Sequence, residues 1–176
     1  MGTRLRKTAL TVHIITSVGW LGAAAAYVVL DVMAATGDDP ATLRAMYTAM
    51  DAITTWALVP LAWAALATGV WMSLGTPWGL WRHWWVAISL VLTIIAVAVL
   101  MSETRVIAEL AAIAGDPTTT DDEIRALPHT LPHSVGGLGV LLVVTALNVV
   151  KPRGLTRHGW RKEQERRQAA AQPESG

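Results

Sequence analysis

The sequence has no cysteine among its 176 residues, which excludes disulfides, thiolate metal sites and thiol catalysis. Charged residues make up only 15% of the chain, whereas a soluble domain usually carries about 25%. No lysine occurs between Lys7 and Lys151. The chain also lacks a phosphate loop, a dinucleotide fingerprint, a nucleophile elbow and a zinc-protease motif. These absences favour a non-enzymatic protein and give no indication of a nucleic-acid partner.

The chain contains four long apolar segments. They cover residues 9–33, 53–74, 84–101 and 131–150. About 20 helical residues cross a hydrocarbon core of ~30 Å, so each block is long enough for one span. The sequence therefore predicts an all-α, four-helix transmembrane bundle formed by residues 1–160, with the lipid bilayer as its partner. Residues 161–176 are charged and then rich in Ala, Gln and Ser, which predicts a disordered tail.

The basic residues are distributed unevenly around these spans. Eleven Lys and Arg residues lie before the first span, between the second and third, and after the fourth. The other two loops hold only Arg44, Arg105 and Arg125. Since Lys and Arg concentrate in cytoplasmic loops, both termini are expected to be cytoplasmic and the protein to lie in the plasma membrane.

The two loops expected outside carry helix signals. Asp39 followed by proline is typical of a helix start, and that helix can continue into span two. Pro60 removes a backbone donor and is expected to kink the same span. The third span is expected to continue as an amphipathic helix to Ala114. Thr120 and Glu123 have the spacing of a capping box, which predicts a short helix.

The first span differs from the others because polar and aromatic residues follow one of its faces. Their spacings of three and four residues place them on one side of a helix. A histidine and a carboxylate are costly inside a bilayer, so this side is expected to face protein, water or a cofactor. The stripe consists of His13, Ser17, Trp20, Ala24, Tyr27 and Asp31.

One end of the stripe suggests a cofactor site near the cytoplasmic surface. The predicted topology places His83 and Asn148 at the same depth as His13 and Ser17, with Trp20 one turn further in. Neutral imidazole suits an axial haem ligand, a metal ligand or a proton-relay group. His13, alone or with His83, is therefore a candidate for binding one b-type haem or a metal. The alternative is that His13 is hydrogen-bonded to a neighbouring helix and that His83 belongs to an interfacial anchor cluster.

The outer end suggests a metal site. His129 and His133 share a face if their segment is helical, and Asp31 and Glu103 lie at the same depth. Four methionines at similar depth favour copper as the metal: Met33, Met46, Met50 and Met101. The alternative is an ion-paired cluster that closes the outer end of the bundle, with arginines as partners.

Further alternatives remain open for the whole chain. A homo-oligomer or a second membrane protein would provide a partner for the bundle. The polar stripe would act through stability alone in a purely structural bundle. The glycines at 69, 136, 137 and 139 are most simply positions of close helix contact.

Several motifs resemble one bacterial family of small four-span membrane proteins known only as a domain of unknown function. They include the opening from His13 to Gly22, the Ala-Thr-Gly-Val at 67–70, the Pro-Trp-Gly-Leu-Trp-Arg-His-Trp-Trp at 77–85, and the exit from Lys151 to Leu155. The resemblance covers roughly residues 5–160 and implies a fold and a location but no activity.

A weaker resemblance connects the chain with other four-helix membrane families that have a histidine in the first span. These are the copper-resistance D-type proteins, the membrane b-type cytochromes and the membrane protoporphyrinogen oxidase. His13 and Trp20 match the spacing that opens the oxidase family. The membrane lysine on which that family relies is absent here, so this resemblance implies no oxidase activity.

Overall fold

A computed structural model describes residues 2–75, 82–152 and 154–171. Four helices in it are long and apolar enough to cross a membrane. The first is α1, Thr3–Thr36. The second joins α2, Pro40–Ile53, to α3, Val59–Gly75, through a π-turn at Thr54–Leu58. The third is α4, Trp84–Gly115, and the fourth is α6, Leu131–Val150. Short helix α5, Asp121–Arg125, and helix α7, Arg157–Ala171, complete the described chain.

The four long helices form a square bundle. Helices α1 and α4 each pack against both α3 and α6, which puts α1 and α4 on opposite corners. Helix α2 packs against α1, α4 and α5 at one end. We call this the Asp31 end, and the opposite end, where α1 and α4 begin, the His13 end. The all-α, four-helix prediction is confirmed.

The buried core lies mainly at the Asp31 end. Leu43, Tyr47 and Met50 of α2 pack there with Ile107 and other residues of α4. Large apolar side chains elsewhere point outward along all four spans, as on α1 at Ile14, Ile15 and Val18. An outward apolar surface is stable against lipid but not against water, which agrees with a membrane location.

The helix signals in the loops are also confirmed. Asp39 caps α2 by accepting the Thr42 backbone N–H at 2.9 Å, and the Thr42 hydroxyl and N–H lower the pKa of the Asp39 carboxyl. Thr120 and Glu123 form a complete capping box at α5. Helix α4 continues to Gly115, one residue beyond the predicted end.

A π-turn directly precedes Pro60, where the sequence predicts a kink. Val59 donates its backbone N–H to the Thr54 carbonyl, five residues back rather than four. Proline has no N–H with which to continue the regular ladder, and a wider turn just before it accommodates the missing donor.

A helix occupies most of the segment expected to be disordered. Helix α7 is held against the start of α4, since Thr156 donates its backbone N–H to the Arg82 carbonyl at 3.0 Å and Arg82 pairs with Glu163 at 3.1 Å. Gly159 packs directly on the Arg82 carbonyl, where a Cβ would not fit. The disorder expected at 172–176, and the motif residues 76–81, lie outside the described residues.

Candidate functional site

The polar stripe of α1 faces the interior of the bundle, as its composition predicts. Trp20, Tyr27 and Asp31 are buried, and His13 and Ser17 are half-buried. Between them lie exposed aliphatic side chains that point away from the other helices. Three polar groups of the stripe have protein partners, His13 at one end and Tyr27 and Asp31 at the other, and these partners differ between the two ends.

Asp31 lies at the centre of a buried hydrogen-bond network. Its side chain has 0% relative exposure. One carboxylate oxygen accepts the Thr130 backbone N–H at 3.1 Å. The other accepts the Thr130 hydroxyl at 2.9 Å and the Ser134 hydroxyl at 2.6 Å. Because the Thr130 hydroxyl donates its proton to Asp31, the Tyr27 hydroxyl at 3.0 Å is the donor to Thr130.

This network explains how α6 begins. Thr130 is the residue before α6, and Pro132 occupies its first turn, where a missing N–H has no cost. Thr130 and Ser134 are four residues apart and present both hydroxyls to α1. The depth of Asp31 follows from its position in the first apolar segment, whereas these partners were not predicted from the sequence. The signal available was the threonine–serine spacing at the start of an apolar block.

The expected metal ligands at this end are only partly brought together. Glu103 and His133 lie close, with 3.6 Å between Oε2 and Nδ1. Asp31 is instead saturated by Thr130 and Ser134. His129 is exposed and precedes α6, so it does not share a helical face with His133. Within the described parts of the chain, no three His, Cys, Asp or Glu residues are grouped as metal ligands.

A cavity of about 320 Å³ opens beside this network, between α1, α4, α6 and the π-turn. Its deep wall is apolar and is formed by Trp20, Ala24, Leu58 and Leu141, among others. Its polar wall lies toward the Asp31 end. That wall consists of Tyr27, Glu103, Thr130, His133 and Ser134.

The cavity opens sideways. Its exposed lining residues all belong to α4 and α6, and they include Ile95 and Val99 in the apolar block of α4. Two glycines of α6 help to form this opening, since a Cβ at Gly136 or Gly137 would meet nothing within 4 Å. The same holds for Gly139. The interpretation of these three glycines as close helix contacts is therefore wrong, and they leave space instead.

The residues proposed for the other end pair with different helices. His13 Nδ1 lies 2.9 Å from the Thr68 hydroxyl of α3. Thr68 already donates that hydroxyl to the Ala64 carbonyl at 2.6 Å, so the histidine N–H is the donor to Thr68. This leaves Nε2 as the ring nitrogen with a lone pair. The alternative of a histidine hydrogen-bonded to a neighbouring helix matches this geometry.

The remaining candidates for a haem site lie apart from this pair. His83 begins α4 on the opposite corner from α1, and its ring lies 6.4 Å from that of Trp85. Asn148 donates to the Ser89 hydroxyl at 3.4 Å. Trp20 is buried in the apolar wall of the cavity. The candidates therefore contact different parts of the bundle.

Gly69 is the one glycine of the predicted set that makes a close contact. A Cβ there would lie 3.2 Å from His13 Cε1, tighter than an ordinary van der Waals contact. A side chain at this position would therefore require the His13 ring to move by a few tenths of an ångström or more.

We expect Gly69→Leu to lower the free energy of unfolding by about 2 kcal/mol, because the new side chain displaces the His13 ring. Combination with His13→Ala is expected to recover about half of that loss, since the smaller side chain leaves room. Denaturant titration in detergent micelles measures both values. Gly22→Leu is the control, because a Cβ at Gly22 meets nothing within 4 Å. Equal losses at Gly69 and Gly22 would contradict the contact.

Comparison with known proteins gives one match. Residues 7–152 match the model of a family described as predicted integral membrane protein (DUF2269). No curated protein and no solved structure matches the chain.

Proposed function

Since the chain belongs to this family of predicted integral membrane proteins, we propose that it acts within the bilayer by binding a small lipophilic molecule in the cavity between α4 and α6. The cavity is the observation that carries the proposal. Binding sites for small molecules are typically concave, mostly apolar and provided with a few polar groups at one side. This cavity has apolar walls, a polar side and a volume of about 320 Å³.

The position of the opening supports a ligand that arrives from the lipid. Ile95 and Val99 are exposed at the opening and belong to an apolar block of spanning length. A lipophilic molecule in the bilayer would reach the cavity by lateral movement, without crossing water. The proposal therefore assigns the protein a binding role and no catalytic step.

The orientation of the protein is part of the same proposal. The excess of Lys and Arg in the first turns of α1 and after α6 supports placing the His13 end toward the cytoplasm of a plasma-membrane protein. The Asp31 end and the polar wall of the cavity would then lie toward the outer surface. The ligand would be held in the outer half of the membrane.

The test uses a neutral C12 alcohol that carries a photoreactive diazirine on its chain. With the wild-type protein in lipid nanodiscs, we expect saturable labelling of α4 and α6 peptides that unlabelled dodecanol suppresses. Gly137→Leu is expected to reduce this labelling about tenfold, because the side chain fills the cavity and tenfold corresponds to about 1.4 kcal/mol.

Gly139→Leu is the matched control for this experiment. Gly139 lies on the same helix with equally open space, but it does not line the cavity. We expect its labelling to equal that of the wild type. Labelling that does not saturate, or that falls equally in the two variants, would overturn the proposed function.

A further inference from the structure

The charge of the cavity indicates which ligands it favours. Among the described residues that line it, Glu103 is the acidic group and His133 the basic one, with no Lys or Arg. The His133 side chain is 59% exposed, so its imidazole is well hydrated. Asp31 lies directly behind the Thr130 and Ser134 hydroxyls of the polar wall. The polar wall and the residue directly behind it therefore supply two carboxyl groups and one imidazole.

Glu103 differs from Asp31 in the donors that surround it. The Glu103 side chain is only 19% exposed. Within the parts of the chain that the structure describes, its carboxylate accepts no hydrogen bond, and its ion pair with His133 spans 3.6 Å. A carboxylate held at membrane depth with so few donors is costly unless a positive group approaches it.

Aromatic side chains lie on the same cavity. Trp20 and Tyr27 are buried in its wall. The faces of aromatic rings attract positive groups, most strongly where water is excluded. A carboxylate short of donors and two aromatic side chains, joined to an apolar volume, are together complementary to an amphipathic cation.

We propose that the ligand is a lipophilic cation, with an apolar chain in the deep part of the cavity and a protonated amine against the Glu103 carboxylate. This inference rests on the proposed function and specifies the chemical class of its ligand. The ammonium supplies the hydrogen-bond donors that Glu103 lacks. A neutral alcohol of equal length fills the same volume but contributes no charge.

The test compares three unlabelled competitors against the neutral diazirine probe: dodecylamine, dodecanol and dodecanoate. We expect dodecylamine to compete about tenfold better than dodecanol, the effect of one favourable charge pair. Dodecanoate is expected to compete least. In Glu103→Gln the advantage of the amine is expected to fall to less than about twofold, while labelling by the neutral probe is retained.

Two further variants make the result decisive. Glu109→Gln changes an exposed glutamate on the same helix that does not line the cavity, and it should keep the tenfold preference. Glu103→Asp keeps the charge and should preserve the preference, even if Glu103→Gln fails to fold.

Each failure has a distinct meaning. Equal competition by the amine and the alcohol in the wild-type protein would overturn this inference and leave the proposed function standing. A preference that persists in Glu103→Gln would overturn the role of the carboxylate. Absence of saturable labelling by the neutral probe would overturn the proposed function, and this inference with it.

Discussion

Replacing Asp31 with alanine is expected to lower the free energy of unfolding by about 3 kcal/mol. The change removes the acceptor for the Thr130 N–H and for the hydroxyls of Thr130 and Ser134, all at the buried junction of α1 and α6. Ser134 can still donate to the Leu131 carbonyl at 3.2 Å, so the N–H and the hydroxyl of Thr130 bear most of the loss. Denaturant titration of the purified protein in micelles measures the change.

Two further variants test whether the loss of stability comes from the hydrogen bonds of the Asp31 carboxylate. Asp31→Asn keeps one carbonyl oxygen as an acceptor, so a loss of about 1 kcal/mol is expected. Asp38→Ala removes an exposed carboxylate seven residues away and is expected to change stability by less than about 0.5 kcal/mol. If Asp31→Ala costs no more than Asp38→Ala, the network does not hold α6 against α1.

Replacing Arg44 with methionine is expected to destabilise the Asp31 end by about 3 kcal/mol. Arg44 donates to the carbonyls of Ala114 at 2.8 Å and Asp116 at 2.9 Å, and also to that of Thr119. The Ala114 carbonyl lies in the last turn of α4 and the other two follow it, so the helix itself supplies no donor to them. A planar guanidinium can reach all three at once, whereas a methionine of similar length reaches none.

The Arg44 experiment combines stability with a local measurement. Arg44→Lys is expected to recover less than half of the loss, because one ammonium cannot bridge the three carbonyls. Arg105→Met changes an exposed arginine on α4 and provides the control. Hydrogen exchange of residues 113–119 should accelerate in Arg44→Met but not in Arg105→Met. Unchanged exchange in both would contradict the capping role of Arg44.

Much of the fold was predictable because the sequence features that determine it act between residues close together in the chain. A run of about 20 apolar residues must satisfy its backbone internally, and the helix does so within one segment. Asp39 and the pair Thr120 and Glu123 act within four residues of the chain, so their caps follow from spacing alone. Pro60 lacks an N–H in any fold, and a disturbance of span two followed.

Contacts between distant segments were not predictable in the same way. Glu103, His129 and His133 were predicted to lie at the same depth in the membrane. Of these three, Glu103 and His133 are close in the structure. His129 lies apart because it precedes the start of α6. Arg44 was counted as one charge of a loop, yet it caps a helix about seventy residues further along. Glycines are typical of close helix contacts, and those of α6 were predicted to make such contacts. In the structure they border open space instead.

The sequence by itself determined the class of the protein, its four spans, the inward face of α1 and the caps of its loop helices. Each of these depends on hydrophobicity or on groups a few residues apart. Only the tertiary structure decided that Asp31 is saturated by Thr130 and Ser134, that Glu103 borders a cavity, and that His13 pairs with Thr68. Those pairings depend on which helices are neighbours and how each is rotated, and both are set by packing across the whole bundle.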